Sequence, residues 1–463
     1  MLPVGGWTRL TASPLNGVAR SIEVWRTNTQ DRRVLVGTDN KLYSDYSGIY
    51  NDVTPSGFTG FSGISPFGGY GTFDYGEQDY GDARSLPSPI YSPLAFWSFG
   101  HWGEDTILTA NSDGRIFYFT SSTPTTAPTV IGAAPTGNNA VIVTPERHVM
   151  LIGSGGDGRK VSWSSREDYT DWNFASTTNT AGFLNLTSRT PLLKAFPVAE
   201  GTLVFSYTDV FLIQYMGQPY IYGGTAPISA TSMFNPAGVA TFNGKAVWLS
   251  RMGFQLYSGG VVQPLPCPIL RDILADMDPT YGPFRMHASN NGLFPEIWFF
   301  YPSVGQTECD RYVIWSYAEG WWAWGALSRS AMSPADTFRY PYMGGTTGHM
   351  FQHEDGWLDN GATRVGQCWA ETGALGKGGA ETMEINQFEL ATGEGPQILT
   401  VTGYGRFAPE GTEYTFGPYT PRANGYTDAR ICAKDVRLKF TNAENGNFSL
   451  GTIRMDIAKG AGR

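Results

Sequence analysis

Short apolar runs separated by tight polar turns recur along this chain. Residues 106–110 and 115–119 are rich in β-branched and aromatic side chains, and the stretch between them ends in Asp113-Gly114, a strong hairpin signal. The same pattern returns six more times, with turns at Asp39-Asn40, Asp157-Gly158, Thr208-Asp209 and Met252-Gly253 and with paired runs at 297–302 and 311–316 and at 341–345 and 348–356. These hairpins recur about every 50 residues, the period of four-stranded propeller blades. The pattern predicts an all-β fold, a β-propeller of six to seven blades.

Towards the C-terminus the repeat gives way to strict alternation. Val436, Leu438 and Phe440 share one face of a predicted strand and charged residues occupy the other. We predict a small antiparallel β-sandwich-like domain here, and the sequence leaves open whether it contacts another subunit or only stabilises its own chain. The predicted domains are a first propeller repeat at residues 1–55, an insertion at 56–91, the remaining blades at 92–380 and the C-terminal domain at 381–463.

The insertion at residues 56–91 is rich in glycine and aromatic residues and has no alternation long enough for a regular strand. Glycine permits close backbone approach, and tyrosine offers rigid contact area with a polar end. We predict that Phe67, Tyr70, Tyr75 and Tyr80 form a subunit or partner interface. The alternative is that the insertion packs back over its own propeller.

One segment predicts a helix. Residues 268–277 place apolar side chains at i, i+1, i+4, i+5 and i+8, and Pro268 suits a first helical turn. We expect a connector that caps a blade; a helix that docks a partner is the alternative.

Composition narrows the class of protein. Among 463 residues, 58 Gly and 29 Pro accompany 14% aromatic and only 16% charged residues, a profile of many short strands and turns. The formal charge of −9 provides no basic track for stable DNA binding, although an acidic surface suits a conduit that DNA passes without sticking.

The four cysteines are widely spaced, which favours reduced thiols over a metal knuckle. We expect no targeting segment and no membrane anchor, because no stretch approaches the ~20 apolar residues that span a bilayer.

Motifs that could bind a metal or a cofactor are weak. Residues 153–158 approach a phosphate-binding loop, but a predicted strand follows where that motif needs a helix. His349 and His353 would share a face of a helix, yet in a strand they lie about 13 Å apart. His101, beside Trp102, is expected to satisfy backbone groups at a turn. We therefore predict no metal and no cofactor.

Some propellers are glycosidases or lectins, so carboxylates and exposed aromatic residues were weighed as well. The carboxylates of interest are Glu104, Asp168, Glu296 and Asp310. The Ser-x-Asp-x-Gly-x-Thr-Trp box of sialidases is absent from the sequence, and no nucleophile and base pair can be identified. We predict a structural protein rather than an enzyme.

Several motifs, in their order along the chain, resemble tail nozzle proteins of short-tailed bacteriophages, also called tail tubular or packaged-DNA stabilisation proteins. They are the Val36-Gly-Thr-Asp-Asn-Lys-Leu-Tyr run with Tyr50-Asn-Asp-Val-Thr-Pro, the Gly-Tyr-Gly and Tyr-Gly repeats of the insertion, Trp102-Gly-Glu-Asp with Asp113-Gly-Arg-Ile-Phe-Tyr-Phe, Trp163-Ser with Asp171-Trp-Asn, Gly348-His-Met-Phe-Gln-His-Glu-Asp-Gly, and the closing run from Leu450. The resemblance covers nearly the whole chain.

The resemblance implies a virion protein of the viral tail that is assembled in the host cytoplasm. It implies a homohexameric ring built on β-propellers beneath the portal and its adaptor ring, with tail fibres or spikes as further partners. Such a ring closes the DNA channel in the virion and guides the viral DNA during ejection. The alternative expectation is a phage-encoded propeller that binds or depolymerises carbohydrate.

Overall fold

The computed structural model describes residues 4–58, 60–61, 95–231, 233–376, 381–392, 399–446 and 450–459. The chain divides into two compact units. We call Leu10–Phe351 the propeller unit, and Met1–Arg9 together with Gln352–Arg463 the sandwich unit. The first strand, β1 (Trp7–Arg9), belongs to the sandwich unit.

The described residues of the propeller unit form seven antiparallel sheets, blades 1 to 7, whose strands follow each other in chain order. Blade 1 contains β2 (Ala19–Arg26), β3 (Arg32–Thr38), β4 (Leu42–Tyr46) and β5 (Ile49–Asp52). Blade 2 contains β6 (Trp97–Trp102), β7 (Asp105–Ala110), β8 (Phe117–Phe119) and β9 (Thr129–Val130). Blade 3 contains β10 (Ala140–Val143), β11 (Val149–Ile152), β12 (Lys160–Trp163) and β13 (Gly182–Asn185), with a 3-10 turn at Ser154–Gly156.

The remaining blades follow the same plan. Blade 4 contains β14 (Leu192–Val198), β15 (Gly201–Ser206), β16 (Val210–Gly217) and β17 (Ile221–Gly223), with β18 (Pro227–Ser229) also paired to β16. A 3-10 turn at Pro236–Gly238 leads to blade 5, which contains β19 (Val239–Phe242), β20 (Lys245–Ser250), β21 (Gly253–Ser258) and β22 (Val261–Pro264). Helices α1 (Leu270–Asp276) and α2 (Gly282–Arg285) precede blade 6, which contains β23 (His287–Asn290), β24 (Glu296–Tyr301), β25 (Arg311–Ser316) and β26 (Trp322–Ala326). Blade 7 contains β27 (Arg329–Ser333), β28 (Tyr342–Gly345) and β29 (Met350–His353), paired in that order.

The innermost strands close into a ring. They contact one another in the cyclic order β2, β6, β10, β14, β19, β23, β27 and back to β2. The prediction of an all-β propeller is confirmed, and the described residues form seven blades. All seven predicted hairpins form, five around their predicted turns and two from the predicted paired runs.

Successive side chains on an innermost strand pack alternately against the blade on one side and the blade on the other. On β2, Ile22 and Val24 belong to the apolar cluster that also contains Ala331 of blade 7. Trp25, of opposite parity, belongs to the next cluster, where its ring meets Phe119 of blade 2 edge-on. Both faces of a blade are therefore buried by adjacent blades, which a four-stranded sheet on its own could not achieve.

The predicted helix is present but shorter than its pattern. Helix α1 begins at Leu270, and Ile273 is its fully buried residue. Ile269, Leu270 and Met277 pack with it into the core shared by blades 5 and 6. The helix therefore acts as a connector. No helix in the described part of the chain is long and apolar enough to cross a bilayer.

The sandwich unit consists of two facing sheets. Their strands are β30 (Trp369–Glu371), β31 (Leu375–Gly376), β32 (Met383–Thr392), β33 (Leu399–Arg406), β34 (Glu413–Tyr419), β35 (Tyr426–Ala433), β36 (Asp435–Asn442) and β37 (Leu450–Lys459). One sheet has the order β30-β36-β33-β34, with β31 also paired to β36, and the other has the order β35-β32-β37. Val436, Leu438 and Phe440 are buried between the sheets, which confirms the predicted C-terminal β-domain.

The boundary between the units lies earlier than residue 380, where the sequence analysis placed it. The propeller unit ends at Phe351. Strands β30 and β31 group with the sandwich because both pair with β36. The sequence gives no such signal, since two- and three-residue strands are too short to show alternation.

The links between blades and the turns between the second and third strand of each blade lie on one face of the ring. The amide of Asp39 donates to Val18, that of Asn138 to Gly114 and that of Leu192 to Gly158, and each of these bonds joins a turn to a link. We call this side the linker face. It includes the turns at residues 39–41, 111–115, 153–159, 207–209, 251–252 and 302–310.

Gly37 shows how closely blades 1 and 2 approach each other. Trp97 is fully buried and donates from Nε1 to the carbonyl of Thr38 at 2.8 Å. A β-carbon on Gly37 would lie only 2.2 Å from Cδ1 of this indole ring. The position therefore needs glycine because of packing rather than backbone conformation.

We predict that Gly37→Ala lowers the free energy of unfolding by about 1–3 kcal/mol, the usual cost of overpacking a dense core. Denaturant titration followed by tryptophan fluorescence measures the change. Gly132→Ala is the matched control, because nothing lies within 4 Å of its added carbon. Equal effects of the two substitutions would contradict the packing argument.

Candidate functional site

A buried ion network on the linker face joins blade 1 to blade 6. Arg20 on β2 donates two hydrogen bonds to Glu308, from Nη1 to Oε2 at 2.8 Å and from Nη2 to Oε1 at 2.6 Å. Nη2 also lies 3.3 Å from Oδ2 of Asp39, and Nε of Arg285 lies 3.3 Å from Glu308 Oε1. Blade 7 separates blades 1 and 6 in the ring, so the network ties together blades that are not neighbours.

The charges of this network depend on one another. The Arg20 and Arg285 side chains are only 5% and 11% exposed. Burial works to lower the pKa of Arg20, but the hydrogen bond and the charge of Glu308 raise it above its ordinary value. Burial lowers the pKa of Arg285, and the nearby charge of Arg20 lowers it further. Glu308 is thus the anion that makes two closely placed buried guanidinium groups tolerable.

A cysteine and a histidine lie beside the network. Sγ of Cys309 is 3.9 Å from Nδ1 of His287 and donates to the carbonyl of Arg285 at 3.1 Å. Burial raises the pKa of the thiol and lowers that of His287 to about 3. A nucleophilic thiolate needs the opposite shifts, so this pair is neutral near pH 7 and its contacts, including the His287 ring stacked on Phe300, are those of packing.

Three innermost strands carry titratable groups, namely His101 on β6, Glu23 on β2 and Lys194 on β14. His101 on β6 pairs with Glu23 on β2, with Nε2 2.7 Å from Oε1. His101 was expected from the sequence to satisfy backbone groups at a turn, but its partner is a carboxylate from the neighbouring blade. Lys194 on β14 places its ammonium 5.4 Å from the Phe96 ring and 5.2 Å from the Phe196 ring. Burial lowers the pKa of Lys194 to about 8, against the opposing charge of Glu23, so the amine can exchange a proton near neutral pH.

An apolar cavity opens between blades 4 and 5 and helix α2. Its volume is about 250 Å³, and its lining comprises Tyr207, Met233, Phe234, Arg251, Pro283 and Phe284. Tyr207 and Arg251 come from turns of the linker face, and the other lining residues come from the links that follow blades 4 and 5. We call it the Arg251 cavity.

The predicted interface residues Phe67, Tyr70, Tyr75 and Tyr80 lie outside the described residues. The first residues of the insertion are described and pack against the propeller. Phe58 lies 4.9 Å from the ring of Trp97, and the amide of Phe61 donates to the carbonyl of Asp39 at 2.7 Å. The insertion is therefore anchored on the linker face, at the junction of blades 1 and 2.

The four carboxylates weighed for glycosidase chemistry are each engaged by nearby donors. Glu104 accepts from Asn28 at 2.9 Å, Asp168 from Thr170 at 2.6 Å, Glu296 from Trp298 at 3.2 Å and Asp310 from Ser303 at 2.8 Å. Hydrogen bonds from Thr170 lower the pKa of Asp168, whereas burial raises that of Glu296. None of these bonds brings two of the four together.

The weak metal and phosphate motifs are parts of the propeller and the sandwich. Residues 153–158 form the turn between β11 and β12 and contain a 3-10 turn rather than the start of a longer helix. Nδ1 of His349 lies 3.2 Å from the Thr11 hydroxyl, and the His353 ring stacks on Trp7 at 5.3 Å. Within the described ranges, no cluster of three or more His, Cys, Asp or Glu side chains could hold a metal ion.

The ion network was not predicted from the sequence, although the sequence contains a signal for it. Arg20 has the same parity on β2 as Ile22 and Val24, so a charged residue occupies a core-facing position. A charge at such a position requires a buried partner. The partner, Glu308, is 288 residues away, and no local pattern could have identified it.

We predict that Glu308→Gln lowers the free energy of unfolding by about 2–3 kcal/mol. Loss of one partner of a buried pair costs ~3–5 kcal/mol, and partial solvent access to Glu308 reduces that cost. Glu167→Gln is the matched control, since its pair with Arg147 is largely exposed and its loss costs less than ~1 kcal/mol. Equal shifts of the urea midpoint in the two variants would contradict the buried network.

We also predict that His287 destabilises the fold in acid. Its folded-state pKa of about 3 lies below the ordinary 6.5, so the unfolded chain binds the proton first and stability falls as the pH drops from 6.5 towards 3. His287→Phe should reduce the slope of unfolding free energy against pH over this range by up to about 1.4 kcal/mol per pH unit. Urea titrations at pH 7.5, 6.0 and 5.0 measure the slope, and a slope equal to that of the wild type would refute the assignment.

No protein-family model matches the chain, and no curated protein matches it. Among solved structures, YCF48 from Cyanidioschyzon merolae is similar with a TM-score of 0.42 and 8% identity, covering 75% of this chain and 98% of that one. The Pan2 WD40 domain of Neurospora crassa is similar with a TM-score of 0.41 and 11% identity, covering 76% and 97%. A structure of YCF48 bound to D1 peptide has a TM-score of 0.41 and 9% identity, with the same coverage.

Proposed function

We propose that this chain is the tail nozzle subunit of a short-tailed bacteriophage. In this role it is a structural virion protein without enzymatic activity. Six copies form a ring below the portal and adaptor, close the DNA channel in the virion and guide the DNA during ejection. Further partners are the adaptor ring and the tail fibres or spikes, and the protein resides in the virion tail after assembly in the host cytoplasm.

The observation that carries the proposal is the order of nozzle-like motifs along a chain that folds as a propeller. The motif at residues 36–43 spans the end of β3 and the start of β4, and the one at residues 102–119 spans β7 and β8. The motif at residues 163–173 follows β12, and the run from Leu450 forms β37. The resemblance thus involves strands and turns from several blades and from the sandwich unit, rather than one local sequence.

The rim of the propeller supports lateral assembly. The outermost strand of a blade pairs on one side only, which leaves backbone groups available to a neighbour. Five such strands carry large exposed apolar side chains, namely Ile49, Val130, Phe183, Val261 and Trp324. Burial of apolar rim residues between copies would stabilise a closed ring by removing their surface from water.

The charge of the chain agrees with passage of DNA rather than its retention. A formal charge of −9 on each copy gives a six-membered ring a strongly negative field at low salt. Retention of a duplex requires cationic side chains that displace its counterions. The acidic six-membered ring keeps DNA mobile. Closure of the channel depends on loops of the six copies that meet around the axis of that assembly.

One observation favours the alternative function, carbohydrate binding or depolymerisation by a phage-encoded propeller. Trp321 and Trp324, at the outer edge of blade 6, are 39% and 54% exposed. Exposed indole rings offer flat apolar surfaces on which sugar rings can stack.

We predict that the purified protein forms six-fold rings in negative-stain images and has the mass of six chains by light scattering. Deletion of residues 62–83 should abolish ring formation, because this segment is the proposed subunit or adaptor contact. The deleted chain should keep the circular dichroism and unfolding midpoint of the intact subunit.

Two results would count against the proposal. A wild-type chain that remains monomeric at all concentrations would refute the nozzle role, and normal rings from the deleted chain would refute the role of the segment. Binding or cleavage in a panel of host polysaccharides, lost in Trp324→Ala, would establish the alternative.

A further inference from the structure

The Arg251 cavity has the size and lining of a site for one aromatic side chain. Small-molecule sites usually occupy ~300–1,000 Å³, and this cavity holds about 250 Å³. Four of its six lining residues, Met233, Phe234, Pro283 and Phe284, have apolar side chains. An apolar pocket that receives a single large side chain is typical of an anchor point in a protein–protein contact.

Two polar groups at this cavity, the Arg251 guanidinium and the Tyr207 hydroxyl, have no partner among the residues that the structure describes. No side-chain hydrogen bond or ion pair of Arg251 or of the Tyr207 hydroxyl occurs in the described part of the chain. Arg251 is exposed, and the adjacent Met252 is 84% exposed. An unpaired guanidinium beside an apolar pocket favours an occupant that combines an aromatic side chain with a carboxylate.

The chain itself contains a segment of that chemistry. Residues 73–82 read Phe-Asp-Tyr-Gly-Glu-Gln-Asp-Tyr-Gly-Asp, which gives three aromatic residues, four carboxylates and no lysine or arginine. Each aromatic residue is adjacent to an acidic residue or lies two positions from one. The segment is therefore complementary in charge and in side-chain type to the Arg251 cavity.

The position of the cavity indicates that the segment comes from a second copy of the chain. Phe58 and Phe61, among the first residues of the insertion, lie on the linker face beside blades 1 and 2, and the cavity opens on that face beside blades 4 and 5. These positions are three blades apart in a ring of seven, on nearly opposite sides. Head-to-tail contacts in a closed ring need two different, complementary surfaces on each subunit, and these two surfaces meet that requirement.

We propose that residues 73–82 of one copy dock in the Arg251 cavity of a second copy. Tyr75 or Tyr80 enters the apolar pocket, and the neighbouring carboxylates pair with Arg251. This inference rests on the proposed ring, because it specifies the contact that holds adjacent subunits together.

Photo-crosslinking between two distinguishable copies tests the docking. Full-length chain carrying p-benzoylphenylalanine in place of Tyr75, and a second preparation with the substitution at Tyr80, are each mixed with ¹⁵N-labelled wild-type chain and irradiated. We expect a crosslinked product of twice the chain mass. Mass spectrometry should map the link to labelled peptides that contain Met233 or Met252, since benzophenone reacts readily with methionine side chains.

Charge reversal in the receiving copy tests the role of Arg251. Arg251→Glu in the labelled chain should reduce the crosslinked product at least fivefold. Arg159→Glu is the matched control, because Arg159 is an exposed arginine in the equivalent turn of blade 3 and its side chain has no partner in the described part of the chain. It should leave the yield within twofold of the wild type.

The outcomes separate this inference from the proposed function when the same samples are weighed by light scattering. Six-membered rings whose crosslinks map outside the cavity, or only within one chain, would overturn the docking but not the nozzle role. An unchanged yield with Arg251→Glu would also overturn it. Crosslinks at the cavity without rings would support the docking while refuting the nozzle, and the absence of both would refute both.

Discussion

The structure depends on burial of both faces of every blade. An antiparallel sheet with apolar residues on both faces needs a neighbour on each side, and a linear stack would leave its two end sheets half exposed. Closure of seven sheets around one axis removes those ends. The apolar cluster between blade 7 and blade 1, which contains Ala331 and Ile22, is the contact that completes the cycle. The twist between packed sheets lets such a ring close with few strands per sheet.

Because the side chains near the propeller axis are closely packed, the polar groups there need partners within the fold. Blades 1 and 2 approach so tightly that Gly37 on β3 has no room for a β-carbon beside Trp97, and charged side chains on the innermost strands must find partners on other blades. Arg20 does so through Glu308, and Glu23 does so through His101. The same burial keeps Cys309 and His287 neutral. A neighbouring cysteine and histidine suggest a nucleophilic thiolate, but in this fold their contacts are those of packing.

The two sides of the ring are not equivalent. The linker face holds the ion network, the Arg251 cavity and the anchors of the insertion, because the link from blade 1 to blade 2 contains the insertion and the link from blade 5 to blade 6 contains both helices. The rim carries exposed apolar side chains on strands that pair on one side only. A rigid ring with one elaborated face and an apolar rim is suited to holding neighbours in a fixed arrangement, as the proposed nozzle requires.

The sequence alone determined the class of fold, the hairpins, the C-terminal alternation and the approximate position of α1, because each depends on residues close together in the chain. It narrowed the blades to six or seven but could not choose, since strands as short as β9 and the pairing of β18 leave no clear period. It also ended the propeller late, because β30 and β31 are assigned by a partner more than 50 residues away. Only the tertiary structure paired Arg20 with Glu308 and gathered Tyr207, Phe234 and Phe284 around one cavity. Ring closure brings together residues separated by tens to hundreds of positions, and no local pattern of hydrophobic and polar residues contains that information.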